Sequence, residues 1–213
     1  MVLKGQFLER PTLIPLGKEV MEGLWHRGTR RPPVLILPPT PDEGGSMDHV
    51  VAAELAWTVA MAGFPVLRFN YRGVGASQGK RGDGGARVDD AEAALRILLE
   101  NANVANAIVL CIGGSAKTAL SLGERHTAIS GVGFVSPKEL IGADLLRTHV
   151  PLLMILGELE ANPERNALSA AVQESGGQFV MVDDADQTFR RNLPEVGKAV
   201  SRWLLRISGV KPE

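Results

Sequence analysis

Apolar residues in this chain fall into short blocks with two alternating spacings. Val34-Leu-Ile-Leu37 is an unbroken apolar run, the pattern of a strand buried on both faces of a parallel sheet. Residues 47–61 are alanine-rich with helical spacing and stop at Gly63. Residues 64–69 then form a second strand, and 88–99 a helix with Val88, Ala91, Leu95, Leu98 and Leu99 on one face. The alternation continues with a strand at 107–112, a helix at 116–122 and strands at 129–135, 152–156 and 178–182. Helices at 163–174 and 188–207 complete it. Ahead of this series, residues 4–26 alternate loosely and are broken by Pro11, Pro15 and Gly17, as in an antiparallel hairpin at a sheet edge. The pattern predicts an α/β class: a mostly parallel, doubly wound sheet with right-handed crossovers and an antiparallel N-terminal edge hairpin. One domain over 1–213 is expected. The stretch 136–151 is too short to hold an inserted lid, so a site at the carboxyl edge of the sheet would be open.

Composition narrows the function classes. A net charge of −1 over 213 residues gives no reason to expect nucleic acid or an acidic membrane as partner. Arg27, Arg30 and Arg31 read as a solvated hairpin end. No apolar stretch approaches the roughly 18 residues of a membrane helix, and the first ten residues lack the apolar core of a signal peptide. The single cysteine, Cys111, fits a reducing compartment, and a cytoplasmic protein is expected. Gly73-Val-Gly-Ala-Ser-Gln-Gly79 follows a strand but misses the dinucleotide-binding spacing by one residue, so no cofactor is expected.

Three segments carry a resemblance. Leu67-Arg-Phe-Asn-Tyr-Arg-Gly-Val-Gly-Ala-Ser-Gln-Gly79 resembles the loop after the fourth strand of small, lidless α/β-hydrolases, the carboxylesterase and dienelactone-hydrolase-like group. Leu37-Pro-Pro-Thr-Pro-Asp-Glu-Gly-Gly-Ser-Met47 is similar to their oxyanion loop, and Pro151-Leu-Leu-Met-Ile-Leu-Gly157 to the strand that delivers their acid. The resemblance covers residues 19–207 and implies an α/β-hydrolase fold without a lid.

It also implies a triad in the chain order Ser, acid, His. Gly113-Gly-Ser-Ala-Lys117 stands where the family has Gly-x-Ser-x-Gly, making Ser115 the nucleophile; a shift of one residue would put Gly114 there. Lys117 replaces the second glycine of that pattern. Glu160 takes the acid position, or Glu158 if the loop runs differently. At the base position, Ala185-Asp-Gln-Thr188 aligns with the family's Ala-Asp-His-Phe, so Gln187 replaces the histidine. The two oxyanion donors would be the N–H groups of Ala116 and Thr40, since Pro38, Pro39 and Pro41 have none.

Ser115, Glu160, Gln187 and Thr40 are expected to converge at the carboxyl edge. Among the histidines, His26 falls in the edge hairpin, and His126 and His149 precede strands at the amino edge. His49 is on the correct edge and reads as a helix-start residue. A glutamine cannot take a proton from serine at neutral pH. Nucleophile turn, oxyanion loop and base all depart from the pattern together. That combination implies a non-catalytic descendant binding a small acyl or ester ligand or a protein partner. The alternative is a serine hydrolase of ester or thioester bonds using Ser115 with an atypical base.

Overall fold

The computed structural model describes residues 9–209. Its centre is one eight-stranded sheet, built from β1 (Arg10–Leu16), β2 (Glu19–His26), β3 (Val34–Leu37), β4 (Val66–Phe69), β5 (Ala107–Ile112), β6 (Ile129–Val135), β7 (Leu152–Gly157) and β8 (Gln178–Val182). They lie in the order β1-β2-β4-β3-β5-β6-β7-β8. The β1–β2 and β2–β4 pairs are antiparallel and every other pair is parallel. The expected hairpin is present at the edge; residues 4–8 of its predicted range lie outside the described residues.

The helices are α1 (Val50–Met61), α2 (Gly84–Ala102), α3 (Ala116–Arg125), α4 (Gly142–Leu145), α5 (Arg165–Glu174) and α6 (Leu193–Ile207). One face of the sheet packs on α1 and α6 around Ile36, Val59, Leu110, Ile155 and Trp203. The other packs on α2, α3 and α5 around Leu35, Phe69, Leu98, Phe134 and Leu168. Strands β3, β5 and β7 are buried at every position, which is why their sequences are unbroken apolar runs. The β6–β7 connection holds only turns and the four-residue α4, so no lid covers the carboxyl edge.

Two helix starts differ from the sequence expectation by four residues or more. Helix α2 begins at Gly84 rather than Val88, because the Asp83 side chain caps it by accepting from the Ala86 N–H at 3.0 Å. Helix α6 begins at Leu193 rather than Thr188. Phe189 has φ of +50°, which breaks the helical path, and the Asp186 carboxylate accepts from both the backbone N–H and hydroxyl of Thr188 in a local turn.

The loop after β4 is held from below. The Asn70 side chain accepts from the Met47 N–H at 2.7 Å and donates to Glu22 at 2.7 Å. Ser77 Oγ donates to the Asn70 carbonyl, and Arg72 pairs with buried Asp90. These side chains tie the loop to β2 and to the loop after β3, and so fix the floor on which the site is built.

Candidate functional site

β5 leaves the sheet at Ile112 and the chain turns sharply into α3. The residue at that turn is Gly113, with φ of +58°, a conformation that side chains rarely tolerate. Cys111 and Ser115, two residues before and after it, are both buried, and they supply the small flanks such a turn requires. Ser115 closes that 3-10 turn as the residue before α3, and the left-handed position is Gly113, two residues earlier. The φ of −76° and ψ of 0° at Ser115 are ordinary.

Ser115 is 0% exposed. Its Oγ donates its one proton to the Pro38 carbonyl at 2.5 Å. It must then accept from Tyr71 Oη at 2.9 Å, because a hydroxyl has a single hydrogen to give. Burial pushes the Tyr71 hydroxyl well above its ordinary range, so it remains a donor. Lys117 is 61% exposed and meets Glu139 at 3.6 Å, so it does not crowd the helix against the sheet.

The 3-10 turn moves the N–H pair. Ala116 N–H donates to the Gly113 carbonyl inside the turn and is not free to serve as the expected oxyanion donor, a correction. The outward N–H is that of Gly114, and it converges with that of Thr40. Both donate to Oε2 of Glu43, at 2.8 and 3.0 Å, and Thr40 Oγ1 joins them at 3.0 Å. Oε1 of Glu43 meets Lys138 Nζ at 2.6 Å, while the Lys138 N–H donates to the Gly113 carbonyl. A carboxylate of the chain thus occupies a complete set of anion donors. Burial raises the Glu43 carboxyl, but the Lys138 ammonium and the two N–H groups outweigh it and hold it below its ordinary value. Glu43 is not among the site residues expected from the sequence, although Thr40-Pro-Asp-Glu43 is a capping-box spacing.

Glu160 is buried at the end of β7. Its Oε2 accepts from Ser136 Oγ at 2.5 Å and from the Gly157 N–H at 3.3 Å. Glu158 is exposed and accepts from the Asp184 N–H, so of the two glutamates only Glu160 faces inward. Glu160, Gln187 and Lys138 line one open cleft of about 590 Å³, whose apolar walls include Leu140, Ile141 and Pro163. Ser115 and Thr40 are not part of that lining. The predicted four-residue convergence is therefore split. Glu160 and Gln187 share the cleft, Thr40 belongs to the Glu43 cluster beside it, and Ser115 is buried against Pro38 and Tyr71. Lys138 is common to cleft and cluster.

His49 precedes α1, and its Nδ1 is buried without a hydrogen-bond partner. Burial lowers its pKa; nearby Glu43 opposes that shift and Arg190 adds to it. His26 is buried in β2 beside Glu9 at 2.8 Å, and His126 and His149 line a pocket at the amino edge.

No family model matches the chain. It is 28% identical over 202 residues to an uncharacterised protein of Rickettsia prowazekii, an alignment covering 88% of this chain and 85% of that one. A protein of unknown function from Agrobacterium tumefaciens superposes with a TM-score of 0.81 at 22% identity, over 96% of this chain and all of the other. A serine hydrolase without a lid from Xanthomonas campestris superposes with a TM-score of 0.80 at 18% identity, over 96% of this chain and 97% of that one. Among the described residues no helix is long and apolar enough to cross a membrane. Strand order, edge hairpin, open carboxyl edge and these superpositions together make this a lidless α/β-hydrolase fold.

Proposed function

We propose that this protein uses its α/β-hydrolase scaffold to bind a small acyl-type ligand, or a partner protein, without hydrolysing it. The observation that carries this proposal is Gly113 at the strand-to-helix turn, where the fold would present a nucleophile. Ser115 does not substitute for it, because its hydroxyl is buried and its proton is committed to Pro38. Gln187 has no titratable nitrogen, and general-base assistance contributes about 10² to 10⁴-fold in rate. The donors that would stabilise an oxyanion are engaged by Glu43. The buried, unpaired Cys111 fits a reducing interior, and we assign the protein to the cytoplasm.

The test is turnover of p-nitrophenyl acetate together with labelling by a fluorophosphonate. Wild type is expected to match the protein-free rate and to remain unlabelled. Ser115→Ala should leave both readouts unchanged while lowering stability by about 1 to 3 kcal/mol, because it strands the Pro38 carbonyl and the Tyr71 hydroxyl. Robust turnover abolished by Ser115→Ala would overturn the proposal in favour of a serine hydrolase with an atypical base.

A further inference from the structure

Building on the non-hydrolytic function proposed above, we infer that the Thr40 and Gly114 N–H groups and the Lys138 ammonium form a binding site for an external monocarboxylate with a short apolar body. Glu43 holds the place of that ligand in the unliganded protein. The donors themselves specify the ligand. Three converge on one oxygen of the Glu43 carboxylate and the ammonium takes the other, so the site is matched to two oxygens in one plane.

The floor beneath is close to that carboxylate. A Cβ added at Gly114 would lie 2.7 Å from Glu43 Oε2, and one at Gly113 would lie 3.1 Å from it. A planar carboxylate fits over this backbone, whereas the further oxygens of a tetrahedral anion such as phosphate would press into it. Lys138 then gives the direction of the rest of the ligand. It also lines the 590 Å³ cleft walled by Leu140, Ile141 and Pro163, which suits an aliphatic body. Glu160 and Gln187, on the same lining, offer polar contacts there.

Glu43 is suited to leave. Its side chain is 18% exposed, and the residue sits on a three-residue 3-10 turn, so rotating it into solvent unpacks no core side chain. Three hydrogen bonds and an ion pair make it a poor nucleophile or base. Its effect on the site is competition from a tethered carboxylate. Apparent affinity for a free carboxylate is reduced by the fraction of time that Glu43 is out of the way.

The experiment titrates hexanoate, and inorganic phosphate in parallel, into the full-length protein. It follows binding by calorimetry and by the amide NMR signals of Thr40 and Gly114. Glu43→Ala is expected to bind hexanoate about tenfold or more tighter than wild type, the gain from a latch closed at least nine-tenths of the time. The Thr40 and Gly114 amides should shift on titration, and phosphate should not reproduce the effect. Lys138→Met in the Glu43→Ala background should lose most of the gain. Glu43→Gln keeps an acceptor oxygen but removes the charge, so it should show a smaller gain and serves if Glu43→Ala folds poorly.

No tightening in a folded Glu43 variant would overturn the inference, as would shifts confined to other amides or equal binding of phosphate. Hydrolysis of p-nitrophenyl hexanoate by wild type is a separate readout, and it would refute the non-hydrolytic function whatever the titration gives. A flat titration without hydrolysis refutes the carboxylate site alone.

Discussion

A serine introduced at Gly113 would meet two obstacles. The left-handed backbone costs a side chain about 1 to 3 kcal/mol, and the new Cβ would stand 3.1 Å from the Glu43 carboxylate. Gly113→Ser is therefore expected to lower stability in chemical denaturation and to remain unlabelled by fluorophosphonate. Labelling should appear when Glu43→Ala and Gln187→His are added, because these clear the N–H pair and supply a base near Glu160. No labelling in a folded triple variant would mean that the frame no longer supports the chemistry. A second prediction follows from protonation. The Glu43 carboxyl is depressed below its ordinary 4.5, so its contribution to stability is complete above that value and is lost as pH falls through the lower folded one. Thermal melts across acid pH should show that loss in wild type and its absence in Glu43→Gln. At this scale the motifs named Glu160 and Gln187, which line one cleft, and Thr40, which instead holds Glu43. Ser115 carries the expected nucleophile type, whereas the left-handed residue of the turn is Gly113, because that position is selected by backbone conformation. Glycine marks that conformation, and the serine merely packs beside it.

Between elements, a close approach near the site is Gly157 at the end of β7. A Cβ there would collide with the Ala185 carbonyl oxygen and lie 2.9 Å from that of Asp186, both backbone atoms that cannot rotate away. Gly157→Ala is expected to cost about 1 to 3 kcal/mol and to shift the amide signals of residues 185–187, carrying Gln187 away from Glu160. Unchanged stability and signals would remove Gly157 as the spacer between the two loops. Strand positions were legible because buried strands leave apolar runs that polar turns interrupt. Helix starts were less so, since Asp83 and Phe189 set them through a side-chain cap and a positive φ, and neither leaves a hydrophobic trace. The Thr40 to Glu43 turn carried a signal, the capping-box spacing, that pointed to a carboxylate folded back on its own loop.

Across the whole molecule, burial falls from the middle of the sheet toward its margins. Strands β3, β5 and β7 are covered on both faces, whereas β1 and β8 are partly exposed. Hydrogen exchange should reflect this, with amides of β3, β5 and β7 exchanging only through global unfolding and those of β1 and β8 through smaller openings. Uniform protection across all eight strands would contradict that gradient. The strand order was not readable from spacing alone; it follows from handed crossovers and from where the N-terminal hairpin joins β4. That hairpin has a further effect. Pro11 and Pro15 both lie in β1 and, four residues apart, point their missing N–H groups the same way. Prolines persist in a margin strand where those groups would have faced outward. The outer border of the sheet is thus short of donors at both positions, which weakens it as a template for a strand from another chain. Two imino acids of the hairpin thereby guard the protein against templated polymerisation along that border.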